Sequence, residues 1–328
     1  MKSPLLSLPG AVPAEGVDEG VAAHYGDLFR EQRALADGTG FVDLSHRGVV
    51  AVTGADRLSW LHLLLTQHVS DLPAGQATEA LILSANGHVE HALYLVDDGT
   101  TTWAHVEPGT QEALIAYLES MKFFYRVEVT DRTGEFAVVH LPAGSIAAAP
   151  EDAVVRETSY GRDLFLPRAE LESFARDTGK DAGGHGPAVG LLAYEALRVE
   201  QHRPRLGFET DHRTIPHELG WIGSAVHLQK GCYRGQETVA RVQNLGKPPR
   251  RLVFLHLDGS EVLLPPHGAE LRLADEGPEG RKIGFVTTSV RHHELGPIAL
   301  GLVKRNVPLD ARLVADTTAA AQEVVVEP

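Results

Sequence analysis

One cysteine occurs in the 328 residues, Cys232, within the run Lys-Gly-Cys-Tyr-Arg-Gly-Gln-Glu at 230–237. A lone thiol closes no intrachain disulfide and builds no multi-cysteine metal site. It acts singly, as nucleophile, redox group or one shared ligand. Gly235 ends a turn-like element, and 236–242 reads as the opening of a helix, acidic early and with an arginine later. Cys232 would then stand just before a helix N-terminus, where partial positive charge, Lys230 and Arg234 favour thiolate over thiol. The same residue also fits a small buried hydrophobe, as most free cysteines are. Spacing alone leaves both open.

Two other groups of residues could do chemistry. The carboxylate of Glu200, at the end of an expected helix, offers two oxygens to a pair of parallel N–H donors, although a solvated helix-end charge reads the same way. The 17 histidines invite a search for metal ligands. His88 and His91 are three apart on a strand and face opposite ways, and adjacent His292 and His293 share that problem. His212 and His217 share a loop with Glu209, Asp211 and Glu218 but show no ligand spacing, so no metal site is expected.

These residues need elements to hold them. Residues 21–37 read as a helix and 48–53 as a strand. Thr53 and Asp56 resemble a cap for a helix carrying Leu58, Leu61 and Leu65. Asn86-Gly87 between 78–84 and 88–96 signals a hairpin, with a third strand at 101–106. A helix at 109–121 precedes strands at 124–129 and 136–141. Small-residue loops fall at 142–152 and 181–186, and a helix at 188–200 feeds a long irregular loop, 201–220. After Pro248-Pro249, strands at 252–257, 269–273, 282–290, 298–304 and 311–315 suggest a small closed barrel. Expected domains are an extended arm at 1–20, an interleaved α+β region at 21–247 whose second lobe begins near 142, and a barrel at 248–328.

The chain is long enough for two or more domains. Its net charge of −14 argues against a broad nucleic-acid-binding face. The basic group Arg241, Lys247, Arg250 and Arg251 reads as a solvated linker or a site for one small anion. The apolar start is cut by Pro4 and Pro9 and makes a poor signal peptide, no segment approaches a membrane span, and one cysteine suits the cytoplasm.

The octet at 230–237 resembles the K-G-C-Y-x-G-Q-E signature of the YgfZ-like folate-binding proteins, relatives of the glycine cleavage aminomethyltransferase, or T-protein. Asp43-Leu44-Ser45-His46 with Val52-Thr53-Gly54-Ala55-Asp56 is similar to the T-protein opening, and Ser84-Ala85-Asn86-Gly87-His88-Val89 to its substrate-facing hairpin. Leu197-Arg198-Val199-Glu200 resembles its arginine-x-glutamate step, and 216–221 its proline-to-tryptophan loop. The resemblance runs from about residue 22 to the end. It implies an α+β, T-protein-like fold of antiparallel sheets with helices and a C-terminal barrel.

It also implies tetrahydrofolate, or a one-carbon derivative, as ligand. Glu200 would accept the amino and ring N–H of the pterin, Trp103 would wall the ring, and Lys230 would meet the anionic tail. His91 and Asn86 would complete the pocket, with Cys232 as a functional thiol at its mouth. One departure matters. The T-protein hairpin carries two adjacent aspartates, and here Glu90 and His91 stand in their place. A neutral histidine supplies no negative charge beside a developing iminium, and Glu90 faces the other side of the strand. The expectation is therefore an accessory factor for the assembly or repair of iron–sulfur enzymes, among them enzymes that modify tRNA, with no direct contact to nucleic acid. The alternatives are a true aminomethyltransferase and the folate module of a demethylase. The latter usually accompanies a flavin domain, and no dinucleotide fingerprint is present.

Overall fold

A computed structural model describes residues 2–176, 186–277 and 279–327. Of the glycine-rich stretch 181–186, only Gly186 lies among them. The chain forms two units, 1–81 with 91–194, and 82–90 with 195–328. The boundary expected near residue 142 does not appear in this division.

Apart from the hairpin end at 82–90, which is assigned to the second unit, the first unit contains two five-stranded sheets. One orders Ala77–Leu83, Val89–Asp97, Thr101–Val106, Gly48–Thr53 and Glu128–Asp131, and the other Val154–Thr158, Gly161–Pro167, Phe136–Pro142, Phe41–Asp43 and Ala188–Val189. Strand alternation sorts the second sheet. Ala137, Val139, Leu141, Leu164 and Leu166 face a core shared with Leu5, Phe41 and the helix Leu171–Arg176. His140, Asp163 and Phe165 face the other way, toward His105 and Trp103 of the first sheet. The short parallel pairing of Ala188–Val189 with Phe41–Asp43 was not anticipated.

Local expectations fail where tertiary bonds compete. The segment expected as an extended arm folds into a 3-10 helix, Pro4–Ser7, with Leu5 buried, and a strand, Val12–Pro13, paired with Ala22–His24. The helix expected at 21–37 is confined to Leu28–Ala36, capped by Asp27. Asp56 caps nothing. Its carboxylate accepts from the Arg126 backbone at 2.8 Å and from the guanidinium at 2.9 and 2.6 Å. The strand expected at 124–129 begins only at Glu128, after a turn in which Tyr125 N–H bonds to the Lys122 carbonyl at 3.0 Å and Phe123 is left-handed, φ 41°.

In the second unit, six strands close a barrel in the order Arg250–Leu257, Gly296–Lys304, Gly284–His292, Glu270–Leu273, Arg312–Ala315 and Thr318–Val324. Val253, Leu255, Leu271, Val286 and Ala299 belong to its core. The last strand, absent from the sequence reading, pairs with the first and completes the closure. The loop 201–220 is no loose connection. Arg205, Glu209, Thr214, His217 and Glu218 are all buried. Arg198 donates to Glu195 at 2.7 Å and to Glu209 at 3.0 Å, and Glu209 also accepts from the Thr287 and Thr288 hydroxyls at 2.8 and 2.7 Å. No helix among the described residues is long and apolar enough to cross a membrane.

Candidate functional site

The turn at Asn86 joins the hairpin that the sequence signalled. Gly87 N–H bonds to the Ser84 carbonyl at 2.9 Å and Ser84 N–H to His88 at 2.8 Å, with Gly87 left-handed at φ 80°. This is a three-residue loop whose glycine takes the left-handed position. Asn86 is exposed at its tip and Gly87 is buried.

What buries Gly87 is the thiol loop. A Cβ on Gly87 would lie 2.6 Å from Cβ of Thr238, and one on Gly235 would lie 2.5 Å from the Ser84 carbonyl oxygen and 2.9 Å from Cα of Gly87. Gly235 is itself left-handed, φ 83°, and N-caps the helix Gln236–Leu245. Two glycines in contact thus join the hairpin tip to the octet. Beside them Arg234 donates to Glu90 at 3.0 Å. Both side chains are about two-fifths exposed, so the pair contributes little stability and sets direction instead.

Cys232 precedes the helix as expected and is exposed, so the buried-hydrophobe alternative does not describe it. Lys230 is half-buried and its ammonium lies 5.0 Å from the centroid of the Tyr233 ring. Burial lowers its pKa to about 8 and pushes the Tyr233 phenol up to about 12. Lys230, Tyr233, Gln236, Gln243 and Asn244 line a cavity of about 410 Å³ along one face of the helix, within the range of small-ligand sites. A lysine that titrates near 8 is still mostly cationic at neutral pH and loses that charge as pH rises through 8.

Glu200 ends the helix Leu191–Glu200 with its side chain two-fifths exposed, one oxygen 3.4 Å from His292 Nε2. His292 Nδ1 accepts from the Glu294 and Leu295 backbone N–H groups at 3.2 and 3.1 Å, which puts its proton on Nε2, facing Glu200. Burial lowers the His292 pKa, so the ring stays neutral and does not cancel the carboxylate's charge. The second Glu200 oxygen has no partner among the described residues.

Trp103 and His91 are not brought together. Val96 pairs with Trp103 and Tyr94 with His105, and His91, an odd number of residues from Tyr94, falls on the opposite face of that sheet. There its ring lies 6.3 Å from Tyr117, on the helix Gln111–Ser120. Trp103 is 8 % exposed, donates to Asp98 at 2.8 Å and packs 4.8 Å from the Phe136 ring. It is a core residue whose polar atom is already satisfied. No cluster of three metal-ligating side chains occurs among the described residues. His292 and His293, expected to diverge, instead lie 4.5 Å apart, centroid to centroid.

The sequence reading missed one polar constellation. Asp163, His105, His140 and Arg156 are buried together in the first unit. Asp163 accepts from His140 Nδ1 at 2.8 Å, Arg156 at 2.7 Å and His105 Nε2 at 3.1 Å. Arg47 donates to His105 Nδ1 at 3.3 Å and stands 3.2 Å from Glu107. The available signal was parity: His140 and Asp163 occupy paired inward positions whose neighbours on that face, Val138 and Phe165, are apolar.

Residues 22–149 match the family model described as the GCVT N-terminal domain. An aminomethyltransferase of Herpetosiphon aurantiacus is 28 % identical over 92 % of this chain and 90 % of its own. Another, of Rubrobacter xylanophilus, is 29 % identical over 85 % of this chain and 79 % of its own. Aminomethyltransferase T of the glycine cleavage system from Bartonella henselae superposes with a TM-score of 0.81 at 20 % identity, covering 99 % of this chain and 95 % of that one. The fold is that of the glycine cleavage T-protein, α+β with antiparallel sheets and a closed C-terminal barrel, as the motifs implied.

Proposed function

We propose that this chain, built on the T-protein fold, binds tetrahydrofolate or a one-carbon derivative and acts as an accessory factor for assembling or repairing iron–sulfur enzymes. Its effect on tRNA modification is then indirect, since a net charge of −14 disfavours contact with nucleic acid. Folate and iron–sulfur client enzymes are the proposed partners, and the cytoplasm the proposed compartment.

The observation that carries this reading is the hairpin. Where the T-protein pattern has two aspartates, this chain has Glu90, directed to Arg234 at 3.0 Å, and His91, turned toward Tyr117. Neither provides a free, fixed negative charge at a developing cation, so the main electrostatic contribution to aminomethyl transfer is missing. The competing reading, an aminomethyltransferase, is favoured by the names of the curated relatives. Supplying aminomethylated lipoyl carrier and tetrahydrofolate separates the two. No release of ammonia and no methylene-tetrahydrofolate is expected, and steady turnover would overturn the accessory reading.

For the ligand, Glu200 is the proposed pterin acceptor and Lys230 the proposed partner of the anionic tail. Trp103 is left out of the proposal because its ring is covered, while His91 and Asn86 are kept as candidates for the pocket. Glu200→Gln should weaken tetrahydrofolate binding by about 1 to 3 kcal/mol, the scale of losing one charged hydrogen-bond partner. Calorimetry checks this, and unchanged affinity removes Glu200 from the site.

A further inference from the structure

The basic group expected to be a solvated linker or a small-anion site divides between elements, with Arg241 in the helix Gln236–Leu245 and the arginine pair in the barrel. Arg250 and Arg251 open its first strand and point to opposite sides. Arg251 is fully buried and donates to Val307 and Gln322. Arg250 instead lines a cavity of about 330 Å³ together with Arg213, Lys282 and Lys304, with Asp211 as the single carboxylate in its wall. Ile283, Phe285 and Leu302 supply an apolar surface. Four cations around one small cavity stand out in a chain of net charge −14.

These charges differ in what they already hold. Arg250 donates to Asp211 at 2.6 and 3.1 Å and to Glu218 at 2.8 Å through each of two nitrogens. Asp211, held well below the usual carboxylate range chiefly by the Arg250 hydrogen bonds, is thus fully engaged and does not repel an incoming anion as a free carboxylate would. Lys282 stands 3.4 Å from Glu270 in an exposed pair. Lys304 gives one N–H to the Lys282 carbonyl at 2.8 Å and keeps two. Arg213 is exposed, and while its backbone N–H bonds to Asp211 at 2.9 Å, its guanidinium has no partner among the described residues. Phe285 is half-buried beside them.

We propose that this cavity binds a small amphipathic anion, its carboxylate or phosphate taken by Arg213 and Lys304 and its apolar or aromatic body laid against Phe285. A planar guanidinium matches either anionic group with two parallel donors, and an ammonium adds a movable point charge. The volume admits a ligand of one ring and one charged group. The site stands apart from the folate reading, for none of its residues lines the cavity at Lys230.

Calorimetry on the full chain with benzoate, phenyl phosphate, inorganic phosphate and benzyl alcohol tests it. Saturable binding of benzoate or phenyl phosphate is expected, weaker at higher salt, with none for benzyl alcohol. The tighter of the two anions tells a carboxylate ligand from a phosphorylated one. Arg213→Ala, at an exposed position and with an unchanged melting temperature, should lower the affinity at least about tenfold, and Lys304→Gln should act in the same direction. The proposal is overturned by the absence of saturable binding tighter than about 10 mM, by binding that both variants leave unchanged, or by inorganic phosphate binding as well as phenyl phosphate.

Discussion

Replacing Asp163 by alanine should lower stability by about 3 to 5 kcal/mol, the usual cost of removing one partner from a buried ion pair. Asp163 is 2 % exposed and is the common acceptor of His105, His140 and Arg156. Without it, Arg156 keeps the Tyr160 hydroxyl at 3.0 Å and Glu79 only at 3.4 Å, and a buried guanidinium faces two imidazole N–H groups with no carboxylate between them. Denaturant unfolding checks this, and a loss below about 1 kcal/mol would mean that water or Glu79 takes over the role. The same cluster sets the acid limb of stability. Burial lowers the His105 pKa to about 4, against the hydrogen bond to Asp163 and with help from Arg47 and Arg156. The unfolded chain therefore takes up this proton first, and stability present above pH 6.5 is lost as pH falls from 6.5 toward 4, by on the order of 3 kcal/mol. Asp163 itself, held far below its ordinary value by the His105 and His140 hydrogen bonds despite burial, extends the loss to still lower pH.

Cys232→Ala should abolish the support of iron–sulfur enzymes in cells while leaving the fold and folate affinity intact. The side chain is exposed, so its removal opens no cavity and should change stability by less than about 0.5 kcal/mol. A cell strain lacking the natural gene, complemented with the variant and assayed for an iron–sulfur enzyme that modifies tRNA, supplies the measurement. Normal enzyme activity in that strain would strip Cys232 of its proposed role. Loss of activity together with a lowered melting temperature would point to the loop's structure rather than to its thiol.

Sequence patterns reached the architecture further than the site. The barrel was visible because Leu252 to Leu257 and Ile298 to Lys304 are rich in β-branched and aliphatic residues between Gly and Pro turns. Its closing strand was not, because Thr318-Ala319-Ala320-Ala321 has weak strand propensity and gains its place from pairing with the first strand. The Asn86 hairpin and the helix after Gly235 were legible from turn chemistry, a local property. Asp56 reads as a cap until Arg126, seventy positions away, competes for it. The separation of two expected site residues is non-local in the same way. Trp103 and His91 were grouped by motif, but the pleat of one sheet sends them to opposite faces.

The contact between Gly87 and Gly235 has a mechanical consequence. Most packed elements touch through side chains, whose rotamers absorb small displacements. Here backbone meets backbone, with no Cβ between them, and the joint has no such slack. A ligand that displaces the hairpin tip therefore presses on Gly235, the residue at which the Cys232 loop passes into its helix, as two meshed gear teeth turn together.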